Sequence, residues 1–244
     1  MRPLSVPELL AAWEQGLGQS PPERALTLLA AATGRATDAL ARLSLGQRDA
    51  HLLTLRELTF GPQLVSLATC PACGERMELT FDVADLRAAP ETELAADLTL
   101  SLADHDVRFR LPDSLDQMAL AGCQDVPAAR RLLLQRCLLP TAHGAAESAD
   151  RLSPDVWELI AQQMERTDPQ ANIQLNMNCQ NCAQQWQEAF DIGAFFWAEL
   201  DAWARRTLLD VHLLARAYGW PEHDILKLSE ARRQLYLDMI GGSA

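Results

Sequence analysis

Six cysteines occur in the 244 residues, and four of them form two Cys-x-x-Cys pairs, Cys70/Cys73 and Cys179/Cys182. Two intervening residues place both sulfurs on one side of a tight turn, so two such turns supply four thiolates. Four thiolates suit a tetrahedral, closed-shell Zn2+ and leave no position for an exchangeable ligand, which makes such a site structural. The competing readings are two dithiol/disulfide pairs or unrelated thiols. The βαβ pattern in which a redox Cys-x-x-Cys usually sits is missing around either pair. The expectation is one structural zinc site ligated by Cys70, Cys73, Cys179 and Cys182. The remaining two, Cys123 and Cys137, read as small buried residues on helices.

The two pairs also share their surroundings. A shift of 109 positions aligns both cysteines, then Met77 with Trp186, then Phe81-Asp82-Val83 with Phe190-Asp191-Ile192. This is a weak internal repeat of a strand–knuckle–strand unit. The interval from 74 to 178 is far longer than in a zinc finger, so a shared metal would fasten distant parts of the chain together.

The elements that must position these cysteines are legible from periodicity. Leu64 to Thr69 reads as a strand entering the first knuckle, and Met77, Leu79, Phe81 and Val83 alternate with polar residues on the way out. Ile173, Leu175 and Met177 repeat that alternation before the second knuckle, and Trp186, Phe190 and Ile192 after it. Glu188 breaks the second alternation on its apolar side. Leu98 to Leu102 and Val107 to Leu111 predict a further hairpin turning near His105, which reads as a turn residue.

Helices surround these strands. Ser5 with Glu8, and Ser20 with Glu23, have capping-box spacing, and Gly34 ends the second helix. A third helix spans about Asp38 to Leu43, and a fourth runs from Gln47 or Arg48 to Thr59. On the fourth, Leu52, Leu55 and Leu58 form the buried stripe, with Arg48, Asp49, Arg56 and Glu57 on a solvated face. Helices follow near Asp113, over Val126 to Leu139, and from Ser153-Pro154 with Val156, Trp157, Ile160 and Met164 on one face. The stretch from Thr141 to Asp150 reads as a loop. A long helix covers Ala194 to Tyr218 and ends at Gly219. After a short helix over Glu222 to Leu226, Ser229 caps a last one that buries Leu235, Tyr236 and Met239.

Composition narrows the function classes. Hydrophobic residues make up 48% of the chain, enough for a sizeable core, and the net charge is −12. That charge disfavours a nucleic-acid backbone or an anionic membrane surface as partner. No apolar run reaches the roughly 18 residues of a spanning helix. The opening Met-Arg-Pro-Leu-Ser-Val-Pro-Glu lacks a signal-peptide core, so a reducing cytoplasm is expected. Phosphate loops, nucleophile elbows and His-Glu-x-x-His motifs do not occur. The expectation is therefore no enzyme, no catalytic residue and no small-molecule substrate. Zinc-ribbon contact with nucleic acid is disfavoured by Glu75, Glu78 and Asp82 around Arg76.

One resemblance runs along nearly the whole chain. It is carried by Trp13-Glu14-Gln-Gly16, Gly46-Gln-Arg48-Asp49, Phe60-Gly61-Pro62, Cys70-Pro-Ala-Cys73-Gly74, Phe190-Asp191-Ile192 and Trp197-Ala-Glu199-Leu200. Its most specific part is Tyr218-Gly219-Trp220 with Ile225-Leu226 and Arg232-Arg233. The sequence resembles the baseplate hub assembly chaperones of T4-type contractile phage tails, and more closely their counterparts in phage-tail-like extracellular contractile injection systems. The resemblance implies a bacterial cytoplasmic protein that helps build the baseplate or stays within the particle. Its implied partners are hub, spike or other tail subunits. A zinc-ribbon adaptor outside any tail is the alternative.

The expected architecture is α+β and mostly α-helical, with two zinc-ribbon-like β-hairpin knuckles joined at one four-cysteine site. One zinc-stapled domain would span 1–244. Within it lie a helical arm (1–60), the first knuckle and hairpin (61–112), a helical insert (113–168), the second knuckle (169–192) and C-terminal helices (193–240).

Overall fold

Proline, serine and glycine punctuation sets the helical arm. In a computed structural model, described over residues 1–88, 97–102, 106–140 and 152–241, α1 (Val6–Gly16) starts at Ser5. The Glu8 carboxylate there accepts from the Ser5 N–H and hydroxyl. Glu23 does the same for Ser20 ahead of α2 (Pro21–Thr33), which ends at Gly34 in the left-handed region, φ 68°. Both are the reciprocal caps that the spacing predicts. α3 (Thr37–Ala41) is short. α4 (Leu45–Phe60) begins earlier than its apolar stripe suggests, because Ser44 and Gln47 form a further capping box.

Among the described residues three antiparallel hairpins follow, each a separate two-stranded sheet. β1 (Gln63–Thr69) pairs with β2 (Arg76–Asp82). β3 (Leu98–Ser101) pairs with β4 (Asp106–Phe109), and β5 (Ile173–Asn178) with β6 (Gln185–Phe190). Helices α5 (Ser114–Ala119), α6 (Val126–Cys137) and α7 (Pro154–Thr167) lie between the second and third hairpins. The chain closes with α8 (Ile192–Tyr218), α9 (Glu222–Lys227) and α10 (Glu230–Gly241). The molecule is therefore α+β and mostly helical.

Burial is divided among three cores. The largest joins α1, α2, α4 and the first half of α8 through fully buried Leu29, Leu52, Leu55, Phe196 and Leu200, and both knuckle hairpins feed into it. A second gathers Val107 and Phe109 of β4 with Leu134, Cys137, Ile160 and Met164 of α6 and α7. A third packs the end of α8 against α9 and α10 around Val211, Leu214 and Ile225. Each fully buried aliphatic or aromatic side chain contributes about 1.5–3 kcal/mol, so the first core dominates. Among the described residues no helix is long and apolar enough to cross a membrane.

Several expectations are corrected by the tertiary structure. Arg48 and Arg56 are not on a solvated face: they are 5% and 2% exposed. Arg56 is held by Glu199 of α8 through hydrogen bonds of 2.8 and 2.7 Å, and Arg48 reaches Asp49, Ser114 and Gln117. Loss of water around Asp49 raises its pKa to about 6, although Arg48 opposes the shift. Leu58 points outward instead. On α10 the inward face is turned by about one position: Tyr236, Leu237 and Ile240 face the third core and Arg233 is buried, while Leu235 and Met239 are exposed. Tyr218 is also on the surface, stacked on Trp220 at 4.7 Å. Cys123 lies in the turn between α5 and α6, outside any helix. His105 and the 141–150 loop fall outside the described residues.

Candidate metal centre

Two chain reversals of the same shape build the site. In the first, the Cys70 N–H donates to the Glu75 carbonyl at 2.9 Å and the Gly74 N–H to the Cys70 carbonyl at 3.0 Å. In the second, Cys179 donates to Gln184 at 2.9 Å and Ala183 to Cys179 at 2.9 Å. Position 74 and its counterpart 183 both take the left-handed backbone, with φ 74° and 57°. Glycine adopts that conformation freely, whereas alanine does so at a cost of about 1–2 kcal/mol. Strand register follows the same 109-residue shift: Leu64 faces Phe81 in one hairpin, and Ile173 faces Phe190 in the other.

The hairpins meet so that each buried cysteine faces the exposed cysteine of the other knuckle. Cys70 Sγ lies 3.6 Å from Cys182 Sγ, and Cys73 Sγ lies 3.6 Å from Cys179 Sγ. All four sulfurs lie within 4.8 Å of one another. Sulfurs about 2.3 Å from a central zinc form a tetrahedron with edges of about 3.8 Å, and the two 3.6 Å pairs lie close to that spacing, so the four residues suit the group. Among the described residues this is the one cluster of Cys, His, Asp and Glu side chains close enough to hold a metal ion. No disulfide joins any of the cysteines.

Electrostatics within the cluster favour a cation. Burial works against ionisation of Cys70, yet the N–H groups of Cys73 and Ala72 and the Cys182 thiol bring its pKa down to about 7. At Cys182 the Gln184 N–H favours the thiolate, but the crowding Cys73 sulfur, loss of water and the Cys70 and Cys179 sulfurs push it up to about 12. Cys70 thus ionises more easily than Cys182, because hydrogen bonds within the cluster favour the thiolate at the first and the thiol at the second. A divalent cation held by Cys70, Cys73, Cys179 and Cys182 would favour the thiolate form of its ligands.

The surrounding side chains hold the hairpins in register. Phe81 and Phe190, equivalent positions of the repeat, meet edge to face at 5.6 Å, and Phe195 of α8 packs on Phe190 at 5.5 Å. Val83 and Ile192, two residues further on, are both fully buried. Residues that sequence reasoning missed lock the entry and exit. Buried Gln170 donates its side-chain amide to the Leu86 carbonyl at 3.0 Å and accepts from the Ala88 N–H at 2.9 Å. It thereby ties the exit of the first knuckle to the entry of the second. Buried Asp168 accepts from the Gly46 N–H at 2.9 Å, at the positive end of α4. Arg56 caps the route into β1 by donating to the Gly61 carbonyl at 2.8 Å. The Asn181 amide lies 3.7 Å from Cys73 Sγ, a contact for which Ala72 offers no counterpart. No local pattern reveals Gln170 or Asp168, because their partners lie 82 to 122 residues away.

Cys123 and Cys137 stand apart from the cluster. Cys137 is fully buried in the second core, 3.8 Å from the Asp116 carboxylate, and burial pushes its thiol up to about 12. Cys123 donates to the Asp125 carbonyl at 3.5 Å. Glu188 is exposed and accepts from the Trp186 indole N–H at 2.9 Å, so the break in alternation falls on a solvent-facing surface.

The sequence profile of a family described as T4 bacteriophage base plate protein matches residues 9–138, more than half of the chain. That span covers α1 through α6 and includes the first knuckle but not the second. No curated protein and no solved structure matches the chain significantly.

Proposed function

The chain belongs to the T4 bacteriophage base plate protein family, and from that premise we propose a non-catalytic role in building or stabilising the central baseplate hub of a contractile, phage-tail-like injection apparatus. Its ligands are Cys70, Cys73, Cys179 and Cys182, and the metal is a structural Zn2+. The partners are hub, spike or other tail subunits, met in the bacterial cytoplasm and retained in the particle where assembly requires it. The whole chain acts as one zinc-stapled unit.

The observation that carries this reading is the meeting of two cysteine pairs, separated by more than a hundred residues, with all four sulfurs within 4.8 Å of one another. The centre is saturated by protein sulfur, so it serves shape and not turnover. Bound zinc supplies folding energy, on the order of 10 kcal/mol or more. It fixes the hairpins against the α1–α2–α4–α8 core and so presents the helical arms in one relative orientation. An assembly protein needs such a rigid frame, because docking surfaces that move relative to each other lose affinity to ordering costs.

Capture experiments test this directly. Protein purified from a strain carrying the full gene cluster should hold one equivalent of zinc and bring down tail subunits identified by mass spectrometry. A Cys70→Ser/Cys179→Ser variant should lose both together. Less than half an equivalent of zinc in folded wild-type protein would end the metal assignment, and wild-type capture without any tail subunit would end the baseplate role.

A further inference from the structure

Two buried arginines share one cleft but are partnered unequally. The cleft, about 680 Å3, opens between the N-terminal segment, the end of α4, α8 and the corner leading into α10. At its base Arg56 is forked by both oxygens of Glu199, at 2.8 and 2.7 Å. Arg233 lines the same cleft and is only 4% exposed. Its Nη1 donates to the Leu228 carbonyl at 3.2 Å, while its buried Nε has no partner. Guanidinium groups removed from water are usually met by a carboxylate, and an unmet buried N–H is rare.

Arg206 on α8 also lines the cleft, and among the described residues no carboxylate forms an ion pair with it or with Arg233. Besides Glu199, two acids influence this region. Glu230 sits exposed at the rim, and Asp210 lies on α8 outside the lining, both without an ion pair to either arginine. The opposite wall is apolar, formed by Leu4, Leu9, Phe60 and Trp203. A cationic pair with one orphaned donor therefore faces an apolar shelf.

We infer that this cleft receives an acidic side chain, carried next to an apolar one on a segment of a partner protein. The carboxylate completes the Arg233 Nε and Arg206, and the apolar neighbour lies against Phe60 and Trp203. Charge complementarity selects this occupant: an amide brings no charge to balance two guanidinium groups, and a chain of net charge −12 repels a nucleic-acid backbone. The identity of the partner as a tail subunit rests on the baseplate reading; the chemistry of the cleft does not.

Two measurements on the full-length protein decide it. In the first, the peptide acetyl-Leu-Trp-Glu-amide is titrated into 15N-labelled protein beside its Gln counterpart. The Glu peptide should shift the resonances of Trp203, Arg206, Ser229 and Arg233, and the Gln peptide should bind at least tenfold more weakly. Arg206→Glu, an exposed substitution, should weaken the Glu peptide at least fivefold with zinc content and melting temperature unchanged. Arg233→Gln should do the same where it folds. Equal binding of both peptides, no binding, shifts elsewhere, or the same shifts from inorganic phosphate would overturn the inference. In the second, Arg206→Glu protein is used for tail-subunit capture. Capture reduced at least fivefold supports the cleft, and full capture overturns it while leaving the baseplate role standing. Should wild type capture no tail subunit, the baseplate role falls and the peptide result alone decides the cleft.

Discussion

The two knuckles are near copies in backbone and register, yet they lead into different structures. Offset by 109 residues, Leu64 and Ile173, Phe81 and Phe190, and Val83 and Ile192 occupy equivalent places about the cysteine cluster. After Asp82, however, the chain makes only a four-residue 3-10 turn, Val83–Leu86, whereas Asp191 opens the 27-residue α8. The first knuckle is a terminus for its segment, and the second is a launching point for the helix that spans the first and third cores. Equal shape at the cysteine cluster therefore does not imply equal weight in the fold. The symmetric part is what four-sulfur geometry demands, and the asymmetric part is what the neighbouring core demands.

The largest expected effect tests the symmetric half. Cys70→Ser and Cys179→Ser should be equally damaging, because each removes one of four ligands and forfeits most of about 10 kcal/mol of zinc-linked folding energy. Zinc content and thermal unfolding check this; a variant that keeps its metal and melting temperature would break the equivalence. Next comes the ring pair. Phe190→Ala should cost roughly 2–3 kcal/mol and Phe81→Ala about 1 kcal/mol less, since both rings are half-buried and only Phe190 also packs on Phe195. Denaturant titration with metal bound would show the order, and equal losses would place the asymmetry elsewhere.

The caps follow. Asp191 accepts from the Ala194 N–H at 3.0 Å, so Asp191→Ala should cost about 1 kcal/mol. Asp82→Ala removes a cap that closes only a four-residue 3-10 turn, where the Asp85 carboxylate accepts from the Asp82 N–H in return. Its cost should be about half or less by the same scale. Hydrogen exchange at the start of α8 separates local fraying from global loss. The smallest effects come from the left-handed positions. Gly74→Ala should destabilise by about 1 kcal/mol, and Ala183→Gly should gain about 0.5 kcal/mol, because relief of backbone strain outweighs added freedom in the unfolded chain. Opposite signs in paired melts would confirm that the second knuckle carries strain that the first avoids.

Much of this was readable residue by residue. Ser5 with Glu8 and Ser20 with Glu23 announce their helices because a capping box is complete within four residues. The two Cys-x-x-Cys turns and their flanking alternation announce the hairpins for the same reason. Arg56 misled because its partner, Glu199, lies 143 residues away, and an amphipathic pattern treats any arginine as solvated. On α10 the stripe containing Leu235 and Met239 is as apolar as the one that is buried. Which stripe turns inward is settled by Tyr218, Trp220 and Tyr236 packing together at 4.7 to 5.7 Å.

By itself the sequence determined the hairpins, the helix starts and the set of four sulfurs, since each rests on interactions between near neighbours or on ligand chemistry. Only the tertiary structure decided that the two hairpins sit against each other with buried sulfur facing exposed sulfur. It also decided that Gln170 and Asp168 lock that arrangement, and that one of two buried arginines was left with an unpartnered Nε. Those outcomes depend on which distant groups are desolvated together, a property that belongs to the packed core and to no local stretch of chain.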